Sequence, residues 1–133
     1  MSWELGHEFD PQTYPIRRSD LVRYAGASGD FNPIHYSDRV AVSVGLPGVV
    51  AHGMYTLALV GRALTTWVED PALVMTFGAR FTRPVFVPDD DEGTTVDVTG
   101  VLKSVEEGRA TIELTVTHRG KKVLGVSRAV VRC

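Results

Sequence analysis

The stretch "HGMYTLALVGRALTTWVEDP", from His52 to Pro71, decides the fold. Between Met54 and Val68 its only charged residue is Arg62, and Met54, Leu57, Leu59, Val60, Leu64 and Trp67 fall on every side of a helix of 3.6-residue period. A helix that is apolar all round is buried on most sides. It is too short for a comfortable membrane span, which needs about 20 apolar residues. Other elements of the chain must therefore wrap it.

The wrapping material follows directly. "LVMTFGARFTRPVFV" (73–87) is rich in Val, Phe and Thr, and "TTVDVTGVLKSVEE" (94–107), "RATIELTVTHR" (109–119) and "KKVLGVSRAVVR" (121–132) alternate apolar with polar. Within 109–119, Ala110, Ile112, Leu114 and Val116 form one face, and Thr111, Glu113, Thr115 and Thr117 the other. "EEGR" and "RGKK" read as tight hairpins, and "VPDDDEG" as a solvated acidic turn. Upstream, "YPIRRSDLVRYAGASG" predicts an extended piece and a short helix capped by Ser19, and "HYSDRVAVSVGLPG" a second short helix capped by Ser37. The plan is α+β: short helices, one buried helix, then at least four antiparallel strands whose apolar face covers it.

Composition narrows the function classes. The 133 residues fit one domain, 1–133, with 44% apolar and 23% charged residues, so a real core is expected and disorder is not. A net charge of −2 lacks the basic footprint of a nucleic-acid binder. The single cysteine, Cys133, permits no internal disulfide and no cysteine metal cluster, which suggests a reducing, cytoplasmic setting. The first residues carry no basic flank or apolar run, so no signal peptide is expected there.

The chemistry points to "YAGASGDFNPIHYSD", Tyr24 to Asp38. Asp30 and His35 are five residues apart, off the helical i,i+4 spacing, with Asn32-Pro33 between them. Pro33 disfavours helix at Asn32 and removes a backbone donor, so the segment turns. Such a turn can fold the carboxylate back towards the imidazole and make an acid–base pair. It can equally be a surface turn in which Asp30 caps a backbone and His35 is a half-exposed loop residue. Gly53 opens the buried helix, where an unbonded N–H backed by the helix dipole suits a developing enolate; it can also be only a tight packing point. His52 could be a proton carrier or a metal ligand, and reads first as a supporting core histidine. Asp30, His35 and His52 have no recognised metal-ligand spacing, so no metal is expected. His7 and His118 are expected in solvent, Tyr24 and Trp67 in packing. Arg17, Arg18, Arg80 and Arg83 could meet phosphates, although scattered arginines usually just face water.

These residues resemble the MaoC-like, R-specific hydratase/dehydratase family of the hotdog fold. The pattern is an aromatic, small residues, then G-D-x-N-P-aliphatic-H and a small residue: here Tyr24, Ser28-Gly29-Asp30, Asn32-Pro33-Ile34-His35 and Ala41, followed by "AHGM" and "RFTRPVFVPDD". Length and spacing are closest to the small catalytic subunit of the type II fatty-acid-synthase hydroxyacyl-ACP dehydratase. The resemblance covers most of the chain. It implies a curved antiparallel sheet wrapped around a central helix, and a homodimer, or a heterodimer with a related hotdog subunit, whose sheets join edge to edge. It implies Asp30 and His35 as catalytic dyad, the Gly53 N–H as oxyanion donor, and no metal or organic cofactor. The substrate would be a (3R)-hydroxyacyl or trans-2-enoyl thioester of CoA or acyl carrier protein (ACP). Asn32 and His52 would stand beside it, with the acyl chain along Leu57, Val60 and Leu64. His35 would then be the base at the alpha carbon and Asp30 the acid at the hydroxyl, though a close acid–imidazole pair titrates as a unit and leaves that division open. Some relatives carry a serine two turns past the glycine; this chain has Gly61 there. A hotdog thioesterase and an acyl-binding partner subunit are the competing readings.

Overall fold

The computed structural model describes residues 3–133; Met1 and Ser2, which the sequence reading includes in the domain, lie outside the described residues. Its centre is a six-stranded antiparallel sheet. The strands are β1 (Gln12–Ile16), β2 (Val74–Phe81), β3 (Thr94–Glu106), β4 (Arg109–His118), β5 (Lys121–Lys122) and β6 (Leu124–Arg132). Their order is β1-β3-β4-β6-β2, with the short β5 pairing β4. Three helices, α1 (Arg18–Ser28), α2 (Asp38–Ser43) and α3 (Gly53–Val68), fall between β1 and β2.

Alternation does what period-2 sequence predicts. Ala110, Ile112, Leu114 and Val116 of β4 are all buried and join Val96, Val98 and Leu102 of β3 and Ala129 and Val131 of β6. Against this face lie Leu59, Val60, Ala63, Leu64 and Val68 of α3. Both expected hairpins form: Glu106 pairs Arg109 and His118 pairs Lys121. Their loop residues, Glu107-Gly108 and Arg119-Gly120, all take positive φ, the backbone of a type I′ turn that matches strand twist.

Four expectations are corrected. The cap of α1 is Arg17, not Ser19, because the Asp20 carboxylate reaches back 2.8 Å to accept the Arg17 N–H and starts the helix earlier. Ser37 does cap α2, its hydroxyl accepting the Val40 N–H. The 73–87 strand ends at Phe81; beyond Pro84 the chain pairs elsewhere, with Ala51 N–H donating to Val85 C=O and Val87 N–H to Val49 C=O. The 121–132 segment divides at Val123 into β5 and β6. His118 is buried rather than solvated, sharing a 2.8 Å hydrogen bond with the Thr94 hydroxyl. His7 is exposed, as expected.

Nor is α3 covered all round. Met54, Ala58, Arg62 and Thr66 are exposed, a stripe spaced every four residues along one side. The opposite stripe carries the core. Leu64 is fully buried there, so Leu64→Ala should cost about 2–5 kcal/mol, the range for such a cavity. Urea unfolding checks this, and a loss below about 1 kcal/mol would mean the helix–sheet contact is looser than described.

Candidate active site

Asp30 and His35 are brought within 3.9 Å of each other by local turn chemistry. α1 stops at Gly29, whose left-handed backbone (φ 77°) turns the chain off the helix axis. Asp30 follows, and its Oδ1 accepts the Asn32 N–H at 3.1 Å. Asn32 Oδ1 in turn accepts the Ile34 N–H at 3.2 Å and caps a single 3-10 turn, Pro33–His35. That turn is clamped to a neighbouring segment: Val50 donates its N–H to Ile34 C=O at 3.1 Å. His35 Nδ1 lies 2.7 Å from Val50 C=O.

That last bond fixes the tautomer. A carbonyl only accepts, so Nδ1 carries the hydrogen and the neutral ring holds its lone pair at Nε2. His35 Nε2 stands 3.9 Å from Asp30 Oδ2. This is too long for a direct hydrogen bond and leaves room for a bridging water or hydroxyl. His35 is buried while the Asp30 side chain is half exposed.

His52 supports the pair from behind. It is 1% exposed, its ring stacked on His35 at 3.8 Å between centroids, and Tyr24 meets it edge-on. Its Nε2 donates to Asp30 C=O at 3.1 Å. Burial holds its pKa below the ordinary histidine value; the bond to Asp30 opposes this and the His35 charge adds to it. One ligand atom each of Asp30, His35 and His52 lies within 4.8 Å of the others. The two rings are only 22° from parallel. In-plane lone pairs on stacked rings do not converge on one ion, so this donor set does not suit a metal.

Gly53 is the first residue of α3, and its N–H has no acceptor among the described residues. A Cβ there would come within 3.1 Å of the Phe81 ring. Gly53 lines a cleft of about 400 Å³ that also touches His35, Thr56, Phe81, Arg83, Val85 and Leu124, whereas Asp30 and His52 are not among its lining residues. Thr56, one turn after Gly53, buries a hydroxyl with no partner among the described residues. Helical spacing alone could have flagged it.

The other sequence-selected residues sit differently. The Asn32 side chain is spent on the turn and does not line the cleft. Val60 and Leu64 are wholly buried in the core and Leu57 is packed against it, all outside the cleft lining. The apolar wall comes instead from Phe81, Val85, Val123 and Leu124. Gly61 faces the Phe77 ring. Tyr24 and Trp67 do pack, Trp67 also donating its indole N–H to Asp10 C=O at 2.7 Å.

The family described as "MaoC like domain" matches residues 2–123. Among similar proteins, the (R)-specific enoyl-CoA hydratase of Rhodospirillum rubrum is 32% identical over 110 residues, 82% of this chain and 74% of that protein. The 3-hydroxyacyl-thioester dehydratase X of Mycobacterium tuberculosis is 39% identical over 73 residues, 55% of this chain but only 25% of that protein. The 3-hydroxybutyryl-CoA dehydratase of Methylorubrum extorquens matches over 48% of its length, so the chain spans half or less of these last two relatives. A solved "MaoC-like dehydratase" superposes with a TM-score of 0.94 at 34% identity, over 98% of this chain and 40% of that one. The R-hydratase PhaJ1 of Pseudomonas aeruginosa gives 0.82 at 28% identity, over 98% and 82%.

The site carries a pH signature. A buried histidine whose folded pKa is depressed binds fewer protons folded than unfolded, so stability is full above the unfolded value, about 6.5, and falls as pH drops through the folded one. His52 and His118 are both lowered, each chiefly by burial. Unfolding free energy should therefore decline as pH falls below about 6.5, and His52→Gln should flatten that slope in denaturant titrations at stepped pH. An unchanged slope would mean His52 is protonated as readily folded as unfolded.

Proposed function

The chain belongs to the MaoC-like domain family, and from that premise and the geometry of the site we propose an (R)-specific hydratase/dehydratase acting on 3-hydroxyacyl and trans-2-enoyl thioesters. One observation carries the reading: Val50 pins His35 so that its free Nε2 stands 3.9 Å from Asp30 Oδ2, while His35 and Gly53 line the same cleft.

In this reading the thioester carbonyl accepts the Gly53 N–H, which stabilises enolate charge with help from the helix dipole. During dehydration His35 Nε2 takes the alpha proton. The bond from the beta carbon to oxygen breaks, and Asp30 supplies the proton that lets the hydroxyl leave as water. His35 is then imidazolium and Asp30 carboxylate. The water released into the 3.9 Å gap can return the proton and reset the pair. Hydration runs the same steps backwards, and the residues supply all the acid–base chemistry.

We further read residues 1–133 as one MaoC-like unit that pairs through β2. That strand ends the sheet, and its Met75, Phe77 and Phe81 are exposed. β1 at the other end is shorter and carries Pro15, a poor edge for pairing. The exposed Met54 of α3 adds to the apolar surface. A related hotdog subunit would fit as well as a second copy. Among the described residues no helix is long and apolar enough to cross a membrane, and a lone exposed Cys133 fits the cytoplasm.

Asp30→Asn and His35→Ala should each lower kcat/KM for crotonyl-CoA hydration by at least about 100-fold, the usual weight of a general acid or base. Circular dichroism should be unchanged. Folded variants within a few-fold of wild type would remove the dyad, and thiol release in place of hydration would favour a thioesterase. Sizing should find about twice 14.5 kDa for a homodimer; a fully active single chain would remove the pairing.

A further inference from the structure

A second, smaller cleft of about 170 Å³ adjoins the first, and the two share Arg83, Pro84 and Val123. Its remaining lining is His118, Arg119 and Lys121, at the β4–β5 hairpin. We propose that this cleft binds the phosphate groups of the thioester's carrier, while the acyl end occupies the cleft at Gly53. The inference rests on the function proposed above and adds which end of the substrate points where.

Three cations meet in this cleft in a chain whose net charge is −2. None of the three pairs with a carboxylate among the described residues. Two are held in place by other means. Arg83 donates from Nη1 to Lys122 C=O at 3.3 Å, and the Arg119 guanidinium lies 5.8 Å from the Phe86 ring centre. The type I′ turn fixes where Arg119 leaves the backbone. The acidic turn Asp89–Glu92 makes no salt bridge to them among the described residues, and Asp90 Oδ1 is taken up by the Glu92 and Gly93 amides. Buried His118 has its pKa held down first by burial and then by Arg119, so it forms a neutral wall. Two held guanidinium groups and an ammonium, all without a carboxylate partner among the described residues, around a small concavity suit a phosphate ester. The continuity through Arg83 and Val123 gives a pantetheine arm a path from that ester to the reacting carbonyl.

The test compares three crotonyl thioesters: crotonyl-CoA, crotonyl-ACP, and the N-acetylcysteamine thioester, which has no phosphate. The variant is Arg119→Asn with Lys121→Gln; asparagine tolerates the left-handed backbone at 119, and neither residue belongs to the acid–base machinery. Lost charge-assisted bonds should raise KM for the two phosphate-bearing substrates about tenfold. The kcat should stay within about twofold, and the phosphate-free thioester should be unaffected. An equal rise for CoA and ACP assigns the cleft to the phosphodiester they share, and a rise for CoA alone to its nucleotide phosphates. Unchanged KM, an equal rise for all three, or a rise for ACP alone would overturn the proposal, the last marking a protein–protein contact. Calorimetry with 4′-phosphopantetheine and with CoA separates this from the catalytic reading. Binding of either by wild type and its loss in the variant upholds the site even in an inactive protein; no binding of either, or undiminished binding by the variant, overturns it.

Discussion

Val50 is the hinge pin of the site. It gives its N–H to Ile34 C=O and receives the His35 Nδ1–H on its own C=O, so one residue holds both the turn and the imidazole. A histidine ring can rotate and change tautomer; two bonds to the same neighbour remove both freedoms. Val50 is itself anchored, since Val49 and Ala51 on either side pair with Val87 and Val85. Arg18 and Asp38 reinforce the same strip, bonding Val87 C=O and the Val49 N–H and each other at 2.8 Å. The Val49 amide is the largest reason the Asp38 carboxyl lies below its usual pKa, with the Arg18 cation also lowering it. Remove the strip and the acid, the imidazole and the first turn of α3 lose their common frame.

How much was legible follows from the range of the forces involved. The parts set by local chemistry read well: the Ser37 cap, the two Gly hairpins, the turn through Asn32-Pro33, the alternation of Ala110 to Val116. Each depends on residues a few positions apart. The α1 cap was missed because two candidates, Ser19 and the Arg17–Asp20 pair, compete locally and the charge-assisted bond wins. His118 looked like an exposed strand-end histidine. It is buried because Thr94, far away in sequence, offers its ring a partner. The cleft walls at Phe81, Val123 and Leu124 come from strands that meet only through sheet order, and no nearby pattern announces that meeting.

The apolar excess of α3 has the same origin. One sheet can cover only the side of a helix that faces it. Here that side is Leu59, Val60, Ala63, Leu64 and Val68, while Met54, Ala58, Arg62 and Thr66 look outward. A helix read as apolar all round therefore overstates what its own sheet can bury. The surplus lies beside Phe81, whose ring limits the room at Gly53 and whose strand exposes Met75 and Phe77. Sequence hydrophobicity beyond the needs of the chain's own core is information about what lies outside it.

The stacked histidines show why the site tolerates so much burial. Two charged imidazolium rings 3.8 Å apart would repel strongly in a partly dry pocket, so the pair is stable only if at most one carries a second proton. Burial assigns that neutrality to His52. Its Nε2–H is committed to Asp30 C=O, and its buried Nδ1 has no partner among the described residues. A cation at that nitrogen would have nothing to bond. His35, by contrast, lines the cleft and stands near the Asp30 carboxylate. The inner histidine is thus held towards its uncharged form while its ring N–H holds the turn through the Asp30 carbonyl.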